Sequence, residues 1–162
     1  MGSYDEVYRA LAAASVRYVV VGGTAVVLQG HARLTVDLDL MVDLSQDQLS
    51  AAIGALTGLG LLPRLPVDAQ SFADPETRRS WVEGRNLLVF SLFDPSSPRR
   101  EVDLFATEPL PFDQVYADAS TFSIAGVGVR VASRRHLIAM KRLAGRPRDL
   151  DDIAVLESLD DE

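Results

Sequence analysis

Residues 18–42 read YVVVGGTAVVLQGHARLTVDLDLMV, and the order of residue types in this stretch decides the fold. Tyr18 to Val21 is a β-branched run of strand length. Gly22-Gly23-Thr24 interrupts it, and Ala25 to Gln29 reads as the start of a helix. Val36 to Val42 alternates as a second strand. Residues two apart on a strand project from one face. Asp37 and Asp39 therefore stand together, while Val36, Leu38, Leu40 and Val42 are expected on the opposite, buried face.

Working outward, Tyr4 to Ala14 reads as a short helix, with Val7, Leu11 and Ala14 at helical spacing. Ser45 is the expected N-cap of a helix that runs to about Leu59 and stops at Gly60. Leu61 to Pro75 carries three prolines and reads as irregular. Leu87 to Phe93 and Glu101 to Phe105 read as strands joined by the turn Asp94-Pro95-Ser96-Ser97-Pro98. Phe122 to Ile124 and Val127 to Val131 flank Ala125-Gly126 as a hairpin. Ser133 then caps a helix to Leu143, and Gly145-Arg146-Pro147 separates it from a last helix, Asp149 to Leu159. Strands joined both by hairpins and by helices predict an α/β (α+β) fold: a mixed β-sheet flanked by helices, as one domain over residues 1–162.

Composition narrows the function classes. Of 162 residues, 48% are hydrophobic and 24% charged, enough apolar material for one core and too much for a disordered chain. No apolar run approaches the 18 or so residues of a membrane-spanning helix, so no membrane partner is expected. The opening MGSYDEVYRA has acids and no apolar core segment, unlike a signal peptide. With no cysteine there are no disulfides, thiol catalysis or thiolate-bound zinc, and a cytoplasmic location is the simplest expectation. The net charge of −7 argues against a general nucleic-acid binder. The charge is unevenly spread: residues 130–148 carry seven Lys/Arg and no acid, and from Asp149 onward every charge is acidic. A cationic patch inside an acidic chain suits a phosphorylated small molecule better than a long polyanion.

Two adjacent carboxylates repel unless a cation lies between them. Mg²⁺ takes hard oxygen ligands, often one or two carboxylates with substrate phosphates. A Gly-Gly turn has no Cβ to block a phosphate, and helix-start N–H groups point at anions. Thirteen residues separate Gly23 from Asp37, and either motif alone would be an ordinary turn or a solvated strand face. Lys141 is the chain's one lysine against fifteen arginines. At about 100° per residue it projects between Leu137 and Ile138, inside the apolar arc of its helix. There it needs an anion, either a triphosphate or a carboxylate, or else its stem snorkels to water. Asp152 projects near Val155 and Leu156, placed to hold Lys141 or an arginine, and Asp149 reads as the N-cap of the last helix. His31 and His136 are too far apart for a metal site and show no carboxylate partner in sequence. Trp81 and Tyr116 read as core aromatics, and Phe72 to Arg85 as a solvated loop whose alternative is a cleft lining.

Strand, Gly22-Gly23-Thr24, helix and Asp37-Leu38-Asp39 together resemble the nucleotidyltransferase superfamily that includes DNA polymerase β. The resemblance implies a third carboxylate on a later strand. Asp103 in Glu101-Val102-Asp103-Leu104-Phe105 is the matching position, with Glu101 its rival on the same face. Within the superfamily the chain is similar to the AbiEii-type nucleotidyltransferases of toxin–antitoxin and phage-defence systems. Arg33-Leu34-Thr35 before the acidic strand, Lys141 on its helix, and Arg146-Pro147-Arg148-Asp149-Leu150-Asp151-Asp152-Ile153 carry that likeness. Members of the toxin type usually carry a further helical region beyond the point this sequence reaches at Glu162. The resemblance implies transfer of a nucleoside monophosphate from an NTP to an acceptor, RNA (such as tRNA) or protein, with release of pyrophosphate. It implies Mg²⁺ on Asp37, Asp39 and Asp103, which are also the catalytic residues, and Gly22, Gly23, Thr24, Arg33, Lys141 and Asp152 around the nucleotide. ATP is one expected NTP, and an antitoxin is an expected partner. The alternatives are a small-molecule (antibiotic-type) nucleotidyltransferase and a non-catalytic nucleotide-binding relative.

Overall fold

The computed structural model describes residues 4–160; Met1, Gly2 and Ser3 of the expected leaderless N-terminus lie outside them. The chain builds seven strands into one sheet: β1 (Tyr18–Val21), β2 (Leu38–Val42), β3 (Leu62–Pro63), β4 (Val89–Asp94), β5 (Ser97–Phe105), β6 (Ser120–Ile124) and β7 (Val127–Val131). Their order is β3-β4-β5-β2-β1-β7-β6. The pairs β1–β2, β3–β4, β4–β5 and β6–β7 are antiparallel, whereas β2–β5 and β1–β7 are parallel. The sheet is mixed, as the alternation of hairpins and helices predicts.

Among the described residues seven α-helices accompany it: α1 (Asp5–Ala13), α2 (Gly22–Leu28), α3 (Gln46–Gly58), α4 (Pro75–Arg85), α5 (Phe112–Asp118), α6 (Arg134–Ala144) and α7 (Pro147–Asp160). All four residues of β1 are buried, so both faces of the sheet are covered at its centre. Helix α1 packs on α3, α2 packs on β1, β2 and α6, and α6 packs on α7. Two expected caps form: Ser45 accepts from the Gln48 N–H at 3.4 Å, and Ser133 from the His136 N–H at 3.2 Å. The β6–β7 hairpin turns through Ala125 and Gly126, both at positive φ, the signature of a two-residue turn that matches strand twist.

Several boundaries differ from the sequence reading, each for a local reason. Strand β2 starts at Leu38, so Asp37 precedes it and Val36 is 57% exposed rather than buried. Helix α2 starts at Gly22, making the glycine pair its first turn. Residues 72–85 are not a solvated loop: a 3₁₀ turn, Ala69–Ala73, leads into α4, with Asp74 as N-cap accepting from the Thr77 N–H at 2.9 Å and Pro75 at the first position. The buried side of α4 is carried by Arg78, whose guanidinium donates to the carbonyls of Phe72, Ala73 and Leu44. Helix α7 starts at Pro147, so Asp149 is not the N-cap. It sits in the first turn and accepts from the Arg146 backbone N–H at 3.0 Å, which is the reverse half of a capping box. Trp81 stacks beside Phe90 and Phe72, and Tyr116 beside Phe112, as core aromatics should.

Candidate active site

Strand register assembles the acids. In the parallel β2–β5 pair, Asp39 lies directly beside Asp103, so both side chains leave the same face. Asp37, one step outside β2, and Glu101, two residues before Asp103, extend the group. One carboxylate oxygen each from Asp37, Glu101 and Asp103 lies within 4.8 Å of the others. Asp103 and its rival Glu101 therefore converge with Asp37. Asp39 is outside that trio but shares a hydrogen bond with Asp103, and it also faces the start of α2: a Cβ on Gly22 would sit 2.0 Å from its Oδ2. Gly22 also has φ +67, a conformation that favours glycine. Thr24 ties the helix start to the acidic strand by donating its hydroxyl to the Asp37 carbonyl at 3.0 Å.

The electrostatics are those of acids awaiting a cation. Burial, followed by the charges of Glu101, Asp39 and Asp37, pushes the Asp103 carboxyl up to about 7, against a hydrogen bond from Ser91. Burial and then Asp37 raise Asp39, which is partly relieved by a hydrogen bond with Asp103 and by the charges of Lys141 and Arg146. Burial and then Glu101 raise Asp37, opposed by Arg64 and Arg148. Asp103 is 9% exposed, and its Oδ1 is buried with no hydrogen-bond partner. An all-oxygen donor set with an orphaned buried acceptor fits a hard divalent cation.

Beside the acids runs a second chain of charges. Lys141 is 7% exposed, so it turns inward as its helical phase predicts. The anion it meets is carboxylate: its Nζ lies 2.9 Å from Asp152 and 3.2 Å from Asp149. Asp152 holds an arginine as well as Lys141: Arg33 Nη2 donates to it at 3.1 Å, and Arg33 Nε forms an ion pair with its other oxygen at 3.0 Å. Both histidines have carboxylates that sequence did not reveal, His31 beside Asp152 at 3.5 Å and His136 beside Asp118 at 3.8 Å. Asp149 is fully buried; despite that burial, hydrogen bonds from the Arg146 side chain and backbone, with Lys141, hold its carboxyl down at about 2. The chain abuts the glycine turn, since a Cβ on Gly23 would lie 2.6 Å from Thr35 Oγ1 and 3.0 Å from Arg33 Nη2. Glu101 and the Arg33–Asp152–Lys141–Asp149–Arg146 sequence of contacts are what the sequence reading left unresolved.

A glycine-led helix start, carboxylates on adjacent parallel strands and a lysine-centred ion cluster now stand together in space. The family model for the nucleotidyl transferase AbiEii toxin of type IV toxin–antitoxin systems matches residues 7–162. The chain belongs to the AbiEii nucleotidyltransferase family. This AbiEii-family chain is an enzyme of the nucleotidyltransferase class. Its fold is similar to that of the antibiotic-resistance factor ANT(2'')-Ia in a solution structure, with a TM-score of 0.56, 15% identity, and 95% of this chain and 82% of that one covered. It is also similar to an antigenic nucleotidyltransferase-like protein from Paracoccidioides brasiliensis, with a TM-score of 0.54, 18% identity, and 97% and 77% covered. No curated protein sequence matches it. At these identities the two structures speak for the fold. Among the described residues no helix is long and apolar enough to cross a membrane.

Proposed function

We propose that this AbiEii-family chain transfers a nucleoside monophosphate from an NTP to an acceptor macromolecule, RNA (such as tRNA) or protein, as the toxin-like member of a toxin–antitoxin pair. The observation that carries the reading is the parallel register that sets Asp39 beside Asp103, with the Asp103 Oδ1 buried and unpartnered. In the reaction an acceptor hydroxyl attacks the α-phosphorus, the bond to the β-phosphate breaks, and pyrophosphate leaves. Asp37, Asp39 and Asp103 would hold Mg²⁺, which would supply neutralisation of the triphosphate and a lowered pKa for the attacking hydroxyl. Asp103, whose carboxyl sits near 7 before the cation binds, is the carboxylate placed to take the hydroxyl proton.

Gly22, Gly23 and Thr24 leave room for the β- and γ-phosphates at the start of α2. Arg33 lies against Gly23, so its guanidinium is positioned toward the same phosphates. Lys141 donates one N–H to Asp149 and forms an ion pair with Asp152, so its three donors are not all used and an anion can be met as well. Asp152 orients both cations.

The test is transfer of label from α-³²P NTPs, offered one at a time with Mg²⁺, to tRNA, to a protein fraction and to a small-molecule extract. Label on RNA or protein, absent with Asp39→Asn, supports the reading. Label confined to a small molecule overturns the acceptor, and no Asp39-dependent label anywhere overturns the activity. Growth arrest on expression, relieved by a neighbouring reading frame, tests the toxin role.

A further inference from the structure

The acids gathered with Asp103 include one that the superfamily resemblance does not assign. Glu101 leaves the same face of β5 as Asp103, and its carboxylate joins the trio with Asp37 and Asp103 within 4.8 Å. Its present partner is Arg64, whose Nε donates to Glu101 Oε1 at 2.6 Å. Arg64 is fixed from three sides. Its backbone N–H donates to the Ser91 carbonyl at 2.9 Å, its Nη2 donates to the Pro98 carbonyl at 2.7 Å, and its guanidinium lies over the Phe93 ring, 4.2 Å from the centroid. Its charge also reaches Asp37. Arg64 is thus the cation in direct contact with this acidic group, from a half-exposed position at its rim.

We propose that Glu101 is a fourth carboxylate ligand of the divalent cation, and that Arg64 is the counter-ion that holds it until the cation arrives. The proposal rests on the metal-dependent reading above. Two independent observations lead to it. The Asp103 Oδ1 is buried and unpartnered beside Glu101, so the group lacks a cation even with Arg64 in place. Asp39, although hydrogen-bonded to Asp103, packs against Gly22 and is outside the trio, so the oxygens that already converge are those of Asp37, Glu101 and Asp103. Arg64 cannot supply the missing charge to Asp103, because its guanidinium is committed to Glu101, Pro98 and Phe93 on the outer side. A cation entering the trio gives Asp103 its partner and takes Glu101 in competition with Arg64. Glu101 and Arg64 thereby set how tightly the apo site takes its ion, and so how readily the site loads.

The experiment measures Mn²⁺ binding, as a paramagnetic stand-in for the hard cation, to the nucleotide-free full chain by calorimetry and electron paramagnetic resonance. Thermal unfolding shows that each variant is folded. Glu101→Gln should raise the Mn²⁺ Kd at least tenfold. Glu101→Asp keeps the charge but withdraws the oxygen by one methylene, and should not restore binding. Arg64→Met should lower the Kd several-fold, and most of that gain should vanish in Glu101→Gln/Arg64→Met, since the two residues act through one contact. A Glu101→Gln Kd within twofold of wild type, full rescue by Glu101→Asp, or an Arg64→Met gain that persists without Glu101 overturns the proposal. Asp103→Asn separates the levels. If it abolishes binding while Glu101→Gln does not, only the role of Glu101 fails. If it too leaves binding intact, the metal reading of the site fails.

Discussion

Replacing Gly22 by alanine tests how the glycine turn positions the acidic strand. At φ +67 an alanine is in the left-handed region, which costs about 1–2 kcal/mol. The added Cβ would also lie 2.0 Å from Asp39 Oδ2, 2.8 Å from its Cγ and 2.9 Å from its Cβ. Ordinary contact needs roughly 3.5 Å, so the carboxylate must swing by more than an ångström, leaving its preferred rotamer at a further cost of about 0.5–1.5 kcal/mol. The sum, about 1.5–3.5 kcal/mol, corresponds to a melting temperature lowered by roughly 3–14 °C in a chain of this size. The functional effect should exceed the loss of stability, because Asp39 is the carboxylate displaced from beside Asp103. Thermal unfolding and Mn²⁺ calorimetry on the same preparation read both. Gly23→Ala is the control. Its Cβ would press on Thr35 Oγ1 and the Arg33 tip rather than on an acid, so it should spare cation binding and weaken NTP binding instead. If Gly22→Ala melts and binds Mn²⁺ like the wild type, the turn does not set the position of Asp39.

Three further outcomes follow from the charges. Lys141→Met leaves the buried Asp149 with Arg146, and Asp152 with Arg33 and His31, and should cost about 3 kcal/mol in chemical denaturation; a loss below about 0.5 kcal/mol would refute a structural role for the cluster. The Asp149 carboxyl, at about 2 in the fold against 3.8 unfolded, lets the unfolded chain bind more protons between those values. Its stabilisation, about 2 kcal/mol, is therefore complete above pH 4 and lost as pH falls through 2, and Asp149→Asn should flatten that acid limb. Asp103 has the opposite sign: at about 7 in the fold, above its unfolded value, it makes the cation-free protein more stable as pH drops from 8 to 5, while Mn²⁺ affinity falls over the same range. Asp103→Asn should remove both trends.

How much was legible in sequence follows from where each signal resides. The strands other than β3, and the helices α3 and α6, are readable because β-branched or alternating runs, Ser45 and Ser133 are local signals; the two-residue β3 lies in a proline-rich stretch that reads as irregular. Asp37 and Asp39 stand out in sequence because their spacing is local, whereas Asp103 is picked out over Glu101 only by the family resemblance. Helix α4 is not readable, since its sequence PETRRSWVEGR buries a guanidinium on backbone carbonyls where an apolar stripe would be expected. Helix α5, Phe112–Asp118, is two turns long and its Phe112 and Val115 give too short a period to recognise. The inward phase of Lys141 was visible, but its partners were not resolvable: Asp152 joins a lysine on α6 to an arginine 119 residues earlier, a pairing no local pattern encodes. Asp149 lies three positions past the N-cap it is expected to fill, because Pro147 opens the helix and the acid reaches back to the Arg146 N–H.

The two parallel pairs at the middle of the sheet have a consequence for synthesis. Neither β2–β5 nor β1–β7 can close as a hairpin, and each waits for strands made much later in the chain. On the ribosome, Asp37 and Asp39 emerge long before Asp103, and the glycine turn emerges before Arg33 can meet Asp152 on the last helix. A nascent chain therefore carries the acidic motif without a working centre, and competence arrives late in translation, when α7 docks and locks the first third of the molecule to its end.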